Sequence, residues 1–296
     1  MMISATPLIS SANFCALAKM VSNAGLQRMM FEGNFQPYGR KMKMLLKKTG
    51  INLEKKSSFS ELLEVCHTQL LQHYRHEYLY KAALLNSYVL HYYSLADSIL
   101  LNEFKIGNSK ADVVLINGTN KVFEIKTELD SPDRLMTQIN DYYKAFSEVY
   151  IVIHHSAVDK YIGLVDEHVG ILLLNPEHTI TTLRSAKYYD QGLDIPVMMK
   201  GLRKEEYLQV VKNLCGSIPI ATPVHLFKSC LNILSKFSAV AVQVEFLKVI
   251  KQRINPLTNQ LVQNPLIPDA LRFSCYSYNL NENDYLSLID KLNYKI

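Results

Sequence analysis

The chain has no tryptophan, no Cys-x-x-Cys pair and no apolar run of the roughly 18 residues that a membrane-crossing helix needs. The missing run predicts that no segment spans a membrane as a helix. The five cysteines, Cys15, Cys66, Cys215, Cys230 and Cys275, are odd in number and far apart, which excludes a disulfide framework and zinc-like spacing. They read as reduced packing residues of a cytoplasmic protein. Met1 to Ala18 lacks a basic leader before an apolar block, so a signal peptide is not expected. Excess charge is also small: a net +5 permits nucleic-acid binding without demanding it.

What is present is apolar bulk. At 296 residues and 48% apolar content, the chain can bury one large core, or a core plus a helical companion domain. With 18 Tyr and no Trp, its rings often carry a hydroxyl, and Tyr74, Tyr78, Tyr80, Tyr88, Tyr92 and Tyr93 crowd one helical stretch. Rings packed in the core with wet hydroxyls are the favoured reading, and stacking on unpaired bases is the alternative.

The chemistry concentrates between Glu103 and Tyr150. In Val122-Phe-Glu124-Ile-Lys126 the side chains alternate faces, so Glu124 and Lys126 share one face of an otherwise apolar strand. The preceding strand, Val113 to Ile116, reaches Asn117-Gly118, a hairpin signal. If Gly118 takes the left-handed position of a three-residue loop, Leu115 pairs with Thr119 and Asp112 lies opposite Val122, on the same face as Glu124. A two-residue turn would put Asp112 on the other face, so the spacing predicts an odd-numbered loop or a bulge. Asp112 and Glu124 are hard oxygen donors suited to Mg2+ or Mn2+, and Lys126 is a fixed positive charge beside them. An ordinary solvated strand face is the bland alternative. After the strand, Ser131 is placed to cap a helix with Pro132 in its first position and Asp133 in its first turn. That helix carries Gln138 and Tyr142 four apart on one face and leads to the apolar strand Val149 to Ile153, implying a right-handed crossover to a parallel neighbour.

Asp112, Glu124-Ile-Lys126, the helix with Gln138-x-x-x-Tyr142 and the following strand together resemble the PD-(D/E)XK nuclease superfamily, in particular its RecB-like branch. Still closer is a little-characterised bacterial and phage family within it, which shares the phrasing Lys110-Ala-Asp112 and Asp133-Arg134-Leu135. The likeness covers residues 74 to 175, and Ala111 stands where the name-giving proline would be. It implies a restriction-endonuclease-like fold, Mg2+- or Mn2+-dependent hydrolysis of nucleic acid with DNA favoured, and a phage or defence setting. It further implies Asp112 and Glu124 as metal ligands, Lys126 as catalytic lysine, and Gln138 and Tyr142 as residues positioning that lysine or the nucleic-acid backbone. A further acid often precedes the first strand of such enzymes. Glu77 is the candidate, with a helix ion pair to Lys81 as its bland reading, and Glu103 is the alternative. A catalytically silent nucleic-acid-binding or protein-interaction module that kept the fold is the second reading. A homo-oligomer or a regulatory protein partner is left open.

Organisation follows the same signals. Residues 1–57 read as helical and basic, with Arg40, Lys41, Lys43, Lys47, Lys48, Lys55 and Lys56 against Glu54; Lys41, Lys43, Lys47, Lys48 and, further on, Arg134 are candidate phosphate contacts. Residues 58–195 form the expected nuclease core. Its long helix from Phe59 to Tyr92 opens on the capping box Ser58-x-x-Glu61, and Ile162–Val165 and Ile171–Leu174 are later strands. His154-His155 reads as a solvent-facing strand end. Residues 196–296 read as helical, with periodicity over 203–214, 223–237 and 239–253 and a loop over Asn255–Pro268. The whole is an α/β (α+β) body: a small mixed sheet flanked by helices, with helical N- and C-terminal parts.

Overall fold

The computed structural model describes residues 11–54 and 57–296. Lys55, Lys56 and residues 1–10, with the leader expectation attached to them, lie outside the described residues. The chain opens with five helices: α1 (Ser11–Met20), α2 (Asn23–Phe31), α3 (Gln36–Lys48), α4 (Phe59–His73) and α5 (Glu77–Ala83). The box that starts α4 forms: Ser58 Oγ accepts the Glu61 N–H at 3.2 Å and the Glu61 carboxylate accepts the Ser58 N–H at 2.6 Å. The expected single helix to Tyr92 is instead interrupted. Tyr74 leaves helical geometry at φ −156°, and beyond α5 a π-helical stretch, Leu84–Val89, precedes the short α6 (Leu90–Tyr92). Ser87 Oγ bonds the Ala83 carbonyl at 2.8 Å where that helix loosens.

Six strands follow: β1 (Ile99–Ile106), β2 (Ser109–Ile116), β3 (Asn120–Lys126), β4 (Glu148–His154), β5 (Gly170–Leu174) and β6 (Ile180–Arg184). They form one sheet in sequential order, antiparallel through β1, β2 and β3, parallel through β3, β4 and β5, and antiparallel again at β6. Helix α7 (Leu135–Tyr142) makes the β3-to-β4 crossover, and α8 (Val158–Tyr161) lies between β4 and β5. The fold class is therefore the expected one, a mixed sheet flanked by helices. The strand expected at Ile162–Val165 is absent. Those residues form the turn after α8, with Ile162 and Leu164 exposed. Polar β6, which has no apolar alternation to announce it, takes the edge instead.

Helices α9 (Ile195–Lys200), α10 (Lys204–Cys215), α11 (Pro223–Leu234), α12 (Ala239–Lys251), α13 (Pro256–Val262), α14 (Asp269–Tyr278) and α15 (Glu282–Asn293) complete the chain. The loop expected over Asn255–Pro268 contains α13. Asn255 caps it by accepting the Leu257 N–H at 3.0 Å, and Pro256 takes the first helical position, so a dipeptide read as a break is a helix start.

The chain divides into two compact units: residues 1–88, 176–178 and 255–296, and residues 89–175 and 179–254. Neither sequence boundary, at 57/58 or 195/196, coincides with this division. Helices α4 and α5 pack in the first unit, against α14, and α4 also meets α3 and α15. Residues 195–254 belong with the sheet. One sheet face, with Val114, Val122, Ile151 and Ile153, is covered by Leu135, Ile139 and Phe146 near α7 and by Val210, Phe246 and Ile250 of α10 and α12. Grouping of helices depends on which apolar faces meet far along the chain, which local periodicity does not encode.

Candidate active site

The hairpin that carries Asp112 and Glu124 has a three-residue loop, Asn117–Thr119, with Gly118 at φ +108° and Ile116 paired with Asn120. Val113 pairs with Phe123 instead of Lys121, and continuing that register by one residue would set Asp112 towards Glu124 instead of Val122. The expected odd loop forms, but the register is two residues further on. A shift of two keeps every paired side chain on its face, and the Asp112 carboxylate still reaches the Glu124 strand through the Ile125 N–H.

Asp112 sits at an irregularity shared by two strands. Inward-facing residues of β1 change from Ile99 and Leu101 to Phe104 and Ile106, and those of β2 from Ala111 to Val114 and Ile116. Both changes of parity flank the Glu103–Asp112 position, where Glu103 has a left-handed backbone, φ +57°. Glu is a poor residue for that conformation, and sites of this kind often mark function. The Asp112 carboxylate accepts the Ile125 N–H at 2.7 Å, fixing it one residue from Glu124.

Glu124 is the hub. It is 2% exposed, and Lys126 is 7% exposed. Its Oε1 accepts Lys126 Nζ at 2.8 Å and Gln138 Nε2 at 2.6 Å, and its Oε2 accepts the Tyr142 hydroxyl. Lys126 Nζ also donates to Gln138 Oε1 at 2.9 Å. Gln138 and Tyr142 reach this cluster because they are one turn apart on α7, while Leu135 and Ile139 bury the helix against the sheet. Burial pushes the Tyr142 phenol far up, and the Glu124 charge pushes it the same way, so the phenol stays protonated as a donor. Helix α7 itself begins at Leu135, later than expected. Ser131 Oγ accepts the Asp133 N–H at 3.3 Å in a preceding turn, and Arg134 occupies the cap without a side-chain bond. Asp130 closes the turn after β3 by accepting the Thr127 N–H and hydroxyl, each at 2.8 Å.

Asp141, absent from the sequence candidates, secures the other side of α7. It accepts the Asn108 N–H at 3.2 Å, the Ser109 hydroxyl at 2.7 Å and Lys144 Nζ at 2.6 Å, bracing the Gly107 turn of the strand that carries Asp112. Burial raises its carboxyl, but bonds from Lys144 and Ser109, the Lys144 charge and the Asn108 N–H outweigh this and hold the pKa below its ordinary value. A depressed carboxyl contributes stability that is full above the unfolded value of about 3.9 and lost as pH falls through the folded value. Asp141→Asn is therefore expected to lower the Tm at neutral pH and to flatten the acid limb of a Tm-against-pH profile. An acid limb as steep as the wild type's would contradict this.

The other candidates separate. Glu77 lies in the helical unit and pairs with Lys81 at 2.5 Å, the helix ion pair considered above. Glu103 lies beside Asp112 and pairs with Lys110 at 2.5 Å, both half-exposed. On α3, Lys41, Lys47 and Lys48 are exposed, whereas Lys43 donates to the Glu54 and Ile296 carbonyls at 3.0 and 2.9 Å. Arg134 is exposed one turn before Gln138. His154 is not the solvent-facing strand end expected: it is buried, bonds Ser156 Oγ at 2.7 Å and lies 3.6 Å from Glu128. His155 next to it is exposed.

Among the described residues no group of three or more His, Cys, Asp or Glu side chains is placed to hold a metal ion. The donor set at Asp112 and Glu124 nevertheless suits a hard divalent cation, since Mg2+ is commonly held by one or two carboxylates with water and phosphate oxygens completing the shell. No described helix is long and apolar enough to cross a membrane.

Residues 71–273 match the family model described as Bacteriophage P4 protein cII. Protein cII of Enterobacteria phage P4 is 26% identical over 194 residues, covering 63% of this chain and 67% of that protein. A solved structure, a protein of unknown function from Silicibacter pomeroyi, aligns at 13% identity with a TM-score of 0.26, over 32% of this chain and 63% of that one. The family match takes in the whole sheet, α7 and the helices through α13, and on that extent the chain belongs to the family of Bacteriophage P4 protein cII.

Proposed function

We propose that the sheet-bearing unit is a metal-dependent nuclease that hydrolyses phosphodiester bonds, with DNA the favoured substrate, in a bacterial or phage setting. The supporting observation is the convergence of five side chains: Asp112, held by the Ile125 N–H next to Glu124, with Lys126, Gln138 and Tyr142 bonded around Glu124. The likeness to PD-(D/E)XK nucleases supplies the reaction class. Asp112 and Glu124 would hold Mg2+ or Mn2+, and the ion when bound supplies a more acidic water and neutralises charge on the phosphate oxygens. Two of the three Lys126 N–H donors bond Glu124 and Gln138, so the ammonium is held in place with a donor left for the attacking water or the phosphate. Gln138 keeps that lysine in line by accepting from it while donating to Glu124. Exposed Arg134 serves as a phosphate contact near the site, and Lys41, Lys47 and Lys48 are further phosphate contacts on α3. Glu103 is preferred to Glu77 as an additional acid. Its position adjoins Asp112, and freeing it from an exposed pair with Lys110 costs only about 0–1 kcal/mol.

A second reading, a catalytically silent nucleic-acid-binding module, draws on one observation: three donors already occupy both oxygens of Glu124. The test is incubation of purified protein with linear, circular and single-stranded DNA and with RNA, in Mg2+, Mn2+ or EDTA. Cleavage that needs the metal and disappears in Lys126→Ala is expected. Cleavage that survives both EDTA and Lys126→Ala would sink the mechanism, and metal-independent retention of nucleic acid without cleavage would favour the silent module.

A further inference from the structure

Tyr142 is fully buried, and its hydroxyl has two acceptors within reach. One is Glu124 Oε2; the other is the Lys110 carbonyl, 3.2 Å away. A phenol carries a single proton and can donate to only one of them at a time. While it donates to Oε2, it competes for the carboxylate oxygen that Lys126 and Gln138 leave unoccupied. Turning the hydroxyl about its C–O bond towards Lys110 would release Oε2 and still leave the buried phenol satisfied. The same rotation ties the phenol to β2 at a point two residues before Asp112, the other carboxylate of the pair.

We infer that Tyr142 is a gating residue for the divalent cation, its hydroxyl donating to Glu124 when the site holds no metal and to the Lys110 carbonyl when it does. This rests on the metal-site reading above. The phenol acts as a competitor that the cation must displace, and it bridges the empty and loaded states without any movement of α7. Among the described residues no other donor to Glu124 has this second acceptor on β2. Lys126 and Gln138 bond each other and so remain with Oε1.

The test is Mn2+ titration followed by the electron paramagnetic resonance of the free ion, using wild type, Tyr142→Phe and Asp112→Asn, each first shown to be folded by circular dichroism. Removing a hydrogen bond to a charged group should lower the Mn2+ Kd of Tyr142→Phe by about ten-fold. Asp112→Asn should bind more weakly than wild type. A second signal is available because the chain has no tryptophan to mask tyrosine absorption. Adding Mg2+ should give a near-ultraviolet tyrosine difference band in wild type that is missing in Tyr142→Phe. Binding by Tyr142→Phe that is equal to or weaker than wild type, or an identical difference band in both, overturns the gate and leaves the metal site standing. Failure of folded wild type and Tyr142→Phe alike to bind Mn2+ removes the metal site and the gate together.

Discussion

Glu124→Ala is expected to lose the proposed cleavage and about 3–5 kcal/mol of stability with it, because the substitution leaves the Lys126 ammonium almost without water and without its carboxylate. Set against a total of roughly 5–15 kcal/mol for a typical domain, that is a large share. Lys126→Met should also destabilise, but less. Glu124 keeps its charge-assisted bonds from Gln138 and Tyr142, whereas Lys126 without Glu124 keeps only its bond to Gln138. The informative variant is therefore the double one. Glu124→Gln with Lys126→Met replaces both charges by neutral groups of similar length, and should recover much of the stability while remaining at least about 100-fold below wild type in cleavage. Urea unfolding of the two single variants and the double variant gives the coupling directly. Strict additivity would mean that the pair is not energetically joined, and the buried ion pair would lose its place at the centre of the site.

The residues of this pair were readable from sequence because a Glu and a Lys two apart inside a strand of Val, Phe and Ile have to share a face. The same holds for Gln138 and Tyr142, whose four-residue spacing on a helix fixes their common side. Even the hairpin error was harmless, since a two-residue slip preserves faces while a one-residue slip would have dispersed the site. Other features had no such local rule. Nothing about Glu103 announces φ +57°, because left-handed backbone is signalled by Gly, Asn or Asp and rarely by Glu. Asp141 carries no local signal, and its role appears only once the Gly107 turn folds back onto α7. His154 looked solvent-facing because strand ends often are, yet its ring is buried beside Ser156. Polar β6 and the division of helices between the two units depend on partners remote in sequence, so periodicity placed the elements better than it grouped them.

Gly170 is another position that local pattern passes over, and its replacement should be among the most damaging single changes on the sheet. It pairs with Tyr150 where β4 and β5 run parallel. A Cβ at Gly170 would stand 2.3 Å from the Tyr150 ring and 2.7 Å from the Ala186 backbone nitrogen, so both a large ring and main chain would have to move. Tyr150 has little freedom to yield, being 4% exposed and stacked on Phe123 with centroids 5.5 Å apart. Phe123 precedes Glu124 in β3, so a displaced Tyr150 presses on the strand that holds the site. Gly170→Val is therefore expected to cost about 1–3 kcal/mol or somewhat more by overpacking, and to reduce any cleavage through misplacement of Glu124 without touching it. A compensating change separates this steric account from a general weakness of β5. Tyr150→Leu makes room by removing the ring, so the double variant Gly170→Val with Tyr150→Leu should be more stable than the sum of the two single changes, by roughly 0.5–3 kcal/mol of coupling. If the two changes simply add, the clash with Tyr150 is not what makes glycine necessary, and the close approach of the Ala186 backbone would have to carry the whole effect.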